Sequence, residues 1–493
     1  MGKAFSKNRA GRLAVERLPV RFVGDERWVI SLPFNPGGET RVRHVLRRVR
    51  CLSNDEAQAV LGDVLRRFEH RHRDIEEILE ENCDQVLSTV GDSDPLSRSH
   101  RLLLGSYFTM EYSIASAALF NPSIVIHPDQ SEVPPGGKRF IMSLRATGEG
   151  HVSSIVFRTG IIHPDHAITV DPPGDVSHRA KLSPDRVYDR SLFWRKLHDM
   201  AIRRGAVDFV MHRLPEQFTM GQLEHAIDSA RSDDPALVQT GGTVEGMLWL
   251  AQENYQLQMP DGAAISEIVI FPQSENESMG LEDLRLVAFE EDDGSTKYYG
   301  TYTAFNGSRI LPQLMEAVDF RRISVHTING ACAQNKGMAL FPRRVNGHYC
   351  MCSRIDGENL YIMYSDMLQF WETAELLRTP KHPWEFMQMG NCGSPIETKE
   401  GWLLLTHGVG PMRTYCIGVM LLERDNPLNV IGHLDEPLIM PTEDEREGYV
   451  PNVVYTCGAM IHRDHLYIPY AMSDTAAGFA MVELDKLLER LVP

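Results

Sequence analysis

The chain has 493 residues, 50 of them Lys or Arg and 67 Asp or Glu, a formal charge of −17. That length exceeds the ~300 residues at which single cores stop growing, so two or three folding units are expected. Its 43% hydrophobic and 24% charged content excludes wholesale disorder, collagen and coiled coil. An acidic excess of this size suits neither nucleic acid nor an anionic membrane as partner, and no apolar run approaches the ~20 residues of a bilayer span. The eight cysteines contain no Cys-x-x-Cys pair, and Cys350 and Cys352 share one face of a strand-like run, so buried thiols, no metal site and a reducing, cytoplasmic location are expected.

Residues Arg21 to Leu32 have the pattern of a short strand segment. Ser53 and Glu56 then form a capping box ahead of a long helical run, with Val60, Leu61, Val64, Leu65 and Phe68 on one face, and a second helix is expected from about Pro95 to Leu119. Residues 177–260 are again helical in period. The rest consists of short apolar strands separated by Gly, Asn, Asp and Pro turns. One strand motif recurs: RFIMSLR (139–145), KYYGTYT (297–303), HYCMCSR (348–354), GWLLLTH (401–407) and HLYIPYA (465–471). Apart from the interval that holds the helical stretch, the copies start 50 to 65 residues apart, the spacing of propeller blades. Five copies predict a mainly β fold, a five-bladed β-propeller with an α-helical N-terminal extension (1–115), a first blade (116–170), a helical insertion (171–265) and four further blades (266–493).

Equivalent strand positions lie at equivalent heights around a propeller channel. The motif's last residues are Arg145, Thr303, Arg354, His407 and Ala471, with Asp474 just beyond, and this mostly polar ring predicts a ligand pocket at one end of the channel. The densest charged cluster is Gly280-Leu281-Glu282-Asp283-Leu284-Arg285. In a regular strand Glu282 and Asp283 would point to opposite faces, one to the channel and one to a local pair with Arg285. A buried carboxylate there would have a raised pKa and suit a general acid. Lys336, Arg354 and His407 together suit an anion the size of phosphate.

These residues sit in segments that resemble glycoside hydrolase family 130, the β-mannoside phosphorylases and mannosidases. The matching pieces are FNPS (120–123), SLRATGEGHVSSIVFRTG, GLEDLR, YYGTYTAF, NKGMALFPRRVNGHY, YSDMLQFW, GSPIETKEGWLLLTHGV, YVPNVVYTCGAM and YAMSDTAAGFA. The resemblance covers about 116–170 and 266–493; the helical regions match nothing. It implies a five-bladed propeller acting with inversion on terminal β-mannosides, β-1,2- or β-1,4-linked. Asp283 is implied as the general acid, passing its proton through a substrate hydroxyl. Lys336, Arg354 and His407 would hold inorganic phosphate, and Asn121, Arg145, Glu282, Arg285, Thr303 and Asp474 the sugar. The product would be α-mannose 1-phosphate, with no cofactor beyond phosphate as co-substrate. Leu284 stands where the family has Pro. Two alternatives stay open: a β-mannosidase using water, with Glu358 or Glu397 as base, and a non-catalytic sugar-binding propeller. The expected partners are a manno-oligosaccharide, phosphate and further copies of the chain through its helical regions.

Overall fold

The computed structural model of the chain describes residues 13–200, 202, 204–238, 242–317 and 319–492. Five antiparallel sheet units follow one another from residue 118 onward. The first holds Ala118–Ile126, Lys138–Thr147, Ser153–Ile162 and Ile168–Val170. The second holds Gly280–Glu290, Thr296–Phe305, Ile310–Ala317 and Arg322–Thr327. The third runs from Ala339–Leu340 through Tyr349–Ser353 and Leu360–Ser365 to Ala374–Arg378. The fourth is built on Gln388–Asn391, Trp402–Val409, Tyr415–Leu422 and Val430–His433. The fifth uses Val454–Tyr455, His465–Met472 and Ala476–Glu483. The recurring sequence motif is the second strand of each blade. Each blade is covered by a neighbour on both faces, so Ala118–Ile126 and Trp402–Val409 are buried along nearly their whole length and are apolar except at Asn121, Ser123, Thr406 and His407. Phe341 of the third blade meets Trp402 of the fourth edge-on at 5.2 Å, and Phe140 of the first meets Phe479 of the fifth at 5.9 Å.

The ring closes with help from the N-terminus. The strand segment expected from Arg21 to Leu32 is two strands, Glu16–Phe22 and Asp25–Pro33. They part at Gly24, where a Cβ would lie 2.5 Å from the Ala115 carbonyl oxygen. Glu16–Phe22 pairs with Ala476–Glu483 as the outer strand of the fifth blade, so the N-terminal extension completes the propeller. Phe22 packs on Phe479, and Arg17 meets the Glu445 carboxylate at 2.8 Å. The first and last blades also bond directly, Leu119 N–H to Thr475 O at 3.1 Å and Cys457 N–H to Pro122 O at 2.8 Å.

Four helices, Glu39–Arg50, Asn54–Phe68, Ile75–Val90 and Arg98–Tyr107, sit between Asp25–Pro33 and its partner strand Thr109–Ala115. The capping box forms as expected: Ser53 Oγ accepts from Glu56 N–H, and Ser53 N–H donates to Glu56 Oε2 at 2.8 Å. The long helix breaks after Phe68 because Arg71 and His72 turn to Glu111, at 3.0 and 2.9 Å. The next expected helix stops at Tyr107, and the chain enters strand before Leu119. The insertion packs its own core from Phe193, Leu197, Val210, Leu223, Ile227 and Leu250. Its buried Lys196 Nζ donates to Asn254 Oδ1 at 2.8 Å and to the Thr327 carbonyl at 2.9 Å, which docks the insertion on the second blade. Among the described residues no helix is long and apolar enough to cross a membrane.

Candidate active site

The innermost strands of the first two blades carry the same irregularity. Opposite Arg145–Ser143, the strand Ala118–Ile126 inserts one extra residue between Phe120 and Ser123. Opposite Thr303–Thr301, the strand Gly280–Glu290 does so between Glu282 and Arg285. Each bulge holds a polar residue in left-handed backbone, Asn121 at φ 47° and Asp283 at φ 58°. Such a conformation costs an L-residue of order ~1 kcal/mol and persists where the surrounding structure fixes it. The bulge overturns strand alternation: Glu282 and Asp283 both face the channel mouth, and Arg285 takes neither carboxylate. Its guanidinium instead donates to the Asp283 carbonyl and to the Tyr455 hydroxyl, both at 2.9 Å.

The mouth is a cavity of about 240 Å³ lined by Asn121, Arg145, Glu282, Asp283, Arg285, Lys336, Arg354, His407 and Asp474, together with Gln388, Arg413, Tyr415, Val450, Val453 and Tyr455. It gathers all the expected site residues except Thr303. Thr303 is buried in the sheet opposite Glu282 and does not line the cavity. One strand out from the channel, its short side chain does not cover the distance that Arg145 and His407 span from the same strand position.

Two sides of the cavity differ in chemistry. On one, Asn121 Nδ2 donates to Asp283 Oδ1 at 2.7 Å, and Arg145 reaches Glu282 at 2.9 Å and Asp283 at 3.4 Å. Lys336 pairs with the second oxygen of Glu282. Burial pushes the Asp283 carboxyl up, but Arg145, Arg285, the Asn121 amide and Lys336 outweigh it and hold the group below the ordinary aspartate range. The expectation of a raised value therefore fails at Asp283 in the free protein. The carboxyl that is raised is that of Asp474, which burial and the neighbouring Asp283 charge push up to about 6.

On the other side, Arg354 Nη1 lies 3.1 Å from His407 Nε2. Burial and the Arg354 and Arg285 charges push the imidazole well below its ordinary pKa, so His407 is neutral and is not the cation expected of it. It accepts from Arg354 and orients the guanidinium. Gly390 permits this approach, since a Cβ there would lie 2.6 Å from the His407 ring. Among the described residues neither Arg354 nor Arg413 is salt-bridged to a carboxylate. Arg413 lies over the Tyr415 ring, which stacks on His407 at 6.0 Å. Sequence reasoning missed Arg413, Tyr415 and Tyr455. The available signal was the Pro411–Tyr415 turn that follows the fourth copy of the repeat. Glu358 is exposed, and Glu397 pairs with Arg343 at 2.6 Å; neither lines the cavity.

Five guanidinium and ammonium groups thus face three carboxylates in a protein of charge −17. A propeller with an acid-bearing, cation-rich channel mouth is the class that fold and site define. The family model described as beta-1,4-mannooligosaccharide phosphorylase, that of glycoside hydrolase family 130, matches residues 262–492. A 1,2-beta-oligomannan phosphorylase of Thermoanaerobacter sp. (strain X514) is 35% identical over 228 residues, 44% of this chain and 73% of that protein. A beta-1,2-mannobiose phosphorylase of the same organism is 34% identical over 251 residues, 48% of this chain and 81% of that protein. The chain belongs to glycoside hydrolase family 130.

Proposed function

We propose that the protein is an enzyme that cleaves terminal β-mannosidic bonds by inverting phosphorolysis and releases α-mannose 1-phosphate. The observation that carries this reading is the surplus of positive charge at Arg354 and Arg413, across the cavity from Asp283, which matches a phosphate of charge near −2. Phosphate held by Arg354, with Lys336 and Arg413 at the rim, attacks the anomeric carbon as the bond to the leaving sugar oxygen breaks. The leaving oxygen takes a proton that originates on Asp283 and passes through a substrate hydroxyl. Asp283 is held ionised in the free protein by the surrounding cations; a bound anion offsets that pull and raises its proton affinity. No base is needed, because the nucleophile is already an anion. Asn121, Arg145, Glu282, Arg285 and Asp474 are the groups left to hold the mannosyl hydroxyls.

Hydrolysis would need a carboxylate placed to activate water. Glu358 and Glu397 lie away from the cavity and Glu282 is paired with Arg145 and Lys336, which leaves Asp474 as the group for that role. The two Thermoanaerobacter relatives are named for β-1,2 linkages and the family model for β-1,4. Purified protein incubated with a mannobiose of each linkage, with and without phosphate, tests the reading. Mannose 1-phosphate formed only with phosphate supports it; free mannose at the same rate without phosphate overturns it in favour of the mannosidase. We place the enzyme in the cytoplasm, in keeping with eight free cysteines. Copies would associate through the helical regions, where Val64, Phe68, Ile75 and Tyr107 line an apolar hollow of about 470 Å³.

A further inference from the structure

Two turns of the chain share one pattern, His-x-Asp-His: His163-Pro164-Asp165-His166 and His462-Arg463-Asp464-His465. The first links Ser153–Ile162 to Ile168–Val170 in the first blade. The second is the hairpin between Met460–His462 and His465–Met472 in the fifth. Both are tight, with His166 at φ 70° and Arg463 at φ 54°. Some 300 residues apart in sequence, they meet at the seam where the ring closes. Arg463 Nη1 donates to the Pro164 carbonyl at 3.4 Å, and His462 Nε2 lies 3.1 Å from the Gly136 carbonyl.

The His166 and His465 rings are 4.2 Å apart between centroids. One ring nitrogen of each and a carboxylate oxygen of Asp464 all lie within 4.8 Å of one another. His465 Nδ1 and Asp464 Oδ1 are 2.9 Å apart, a hydrogen bond that a shared ion would replace with only a small shift of the two side chains. The Tyr467 hydroxyl lies 2.8 Å from His166 Nδ1, which fixes that ring and leaves Nε2 as a ligand atom. An oxygen behind the second nitrogen of an imidazole is the usual support of a metal-binding histidine.

We infer that His166, Asp464 and His465 form a site for a divalent transition-metal ion of the Zn²⁺ or Ni²⁺ type, which clips the first blade to the fifth. Two imidazoles and a carboxylate select such ions over Mg²⁺ or Ca²⁺, which favour all-oxygen shells. Among the described residues the other comparable group, His382, His433 and Asp435, is poorer, because Arg378 Nη2 already lies 3.2 Å from His382 Nε2. His465 begins the strand that ends at Met472, just before Asp474, so the metal site and the sugar cavity lie at opposite ends of one strand. The ion therefore acts on the closure of the ring and not on the chemistry.

The full-length protein, stripped with chelator and desalted, is titrated with Zn²⁺ by calorimetry and followed by thermal melting. One equivalent should bind and raise the melting midpoint by at least ~2 °C, with no effect of Mg²⁺ at the same concentration. His166→Gln combined with His465→Gln should abolish binding and the shift while leaving zinc-free turnover unchanged. Should that pair fail to fold, Asp464→Asn, at an exposed position, should weaken binding at least ~10-fold. The proposal is overturned if no saturable binding occurs, if binding survives the double substitution or is unmoved by Asp464→Asn, or if His382→Gln abolishes it instead.

Discussion

Asn121 and Asp283 occupy the same place in consecutive blades, each on a bulge of the innermost strand with positive φ, and the amide of one donates to the carboxylate of the other at 2.7 Å. The pair separates two effects that substitutions usually mix. Asn121→Ala and Asn121→Gly both remove the donor and should lower turnover equally, by about 10-fold, the loss of one hydrogen bond to a charged group. Only the alanine variant retains a side chain in left-handed backbone, so it should be about 1 kcal/mol less stable than the glycine variant by chemical denaturation. Equal stabilities would show that the bulge is not strained.

Asp283→Asn keeps the shape of the carboxylate and its acceptor for Asn121 but carries no transferable proton. A turnover loss of roughly 10²–10⁴-fold is expected, together with a lower melting midpoint, because the cations that hold the carboxylate ionised lose their charged partner. Near-normal turnover would reduce Asp283 to a structural role.

Arg354→Ala should raise the KM for phosphate by roughly 10- to 100-fold, a charged contact of about 1.5–3 kcal/mol, and leave the KM for mannoside nearly unchanged. His407→Leu should act in the same direction and more weakly, because the imidazole orients the guanidinium. Combined, the two substitutions should cost less than the sum of their separate effects. Strict additivity would mean that the histidine acts independently of Arg354.

Asp474 gives a pH signature. Its carboxyl titrates near 6 in the folded protein, above the ~3.9 of an unfolded chain, so the folded state holds the proton more tightly. The stabilising contribution is complete below pH ~4 and is lost as pH rises through about 6. Asp474→Asn does not titrate. Relative to the unmodified protein it should gain stability, on the order of 2 kcal/mol, between pH 4 and pH 7, with a plateau above. Melting midpoints of both proteins across that range decide the point; a constant difference would exclude an Asp474 titration near 6.

Phe22 tests the closure of the ring. It is 7% exposed and packs on Phe479 from the strand that the N-terminal region contributes to the fifth blade. Phe22→Ala should destabilise by about 3–5 kcal/mol. A much smaller loss would mean that the outer strand merely covers a blade already stable without it.

Much of this architecture was legible in the sequence because a propeller repeats. Blades buried on both faces leave recurring apolar runs, and those runs located the second strand of every blade and most of the polar ring at the channel mouth. The Ser53–Glu56 capping box was equally readable, since its contacts span three residues. What sequence alone could not supply depends on contacts between distant segments or on departures from regular strand geometry. Alternation sends Glu282 and Asp283 apart, and only the bulge turns both into one cavity. The charge on His407 follows from burial beside Arg354, and the depressed pKa of Asp283 from Arg145 of another blade. The N-terminal strand's place in the fifth blade, like the meeting of His166 with His465, rests on ring closure between the two ends of the chain, which no local pattern encodes.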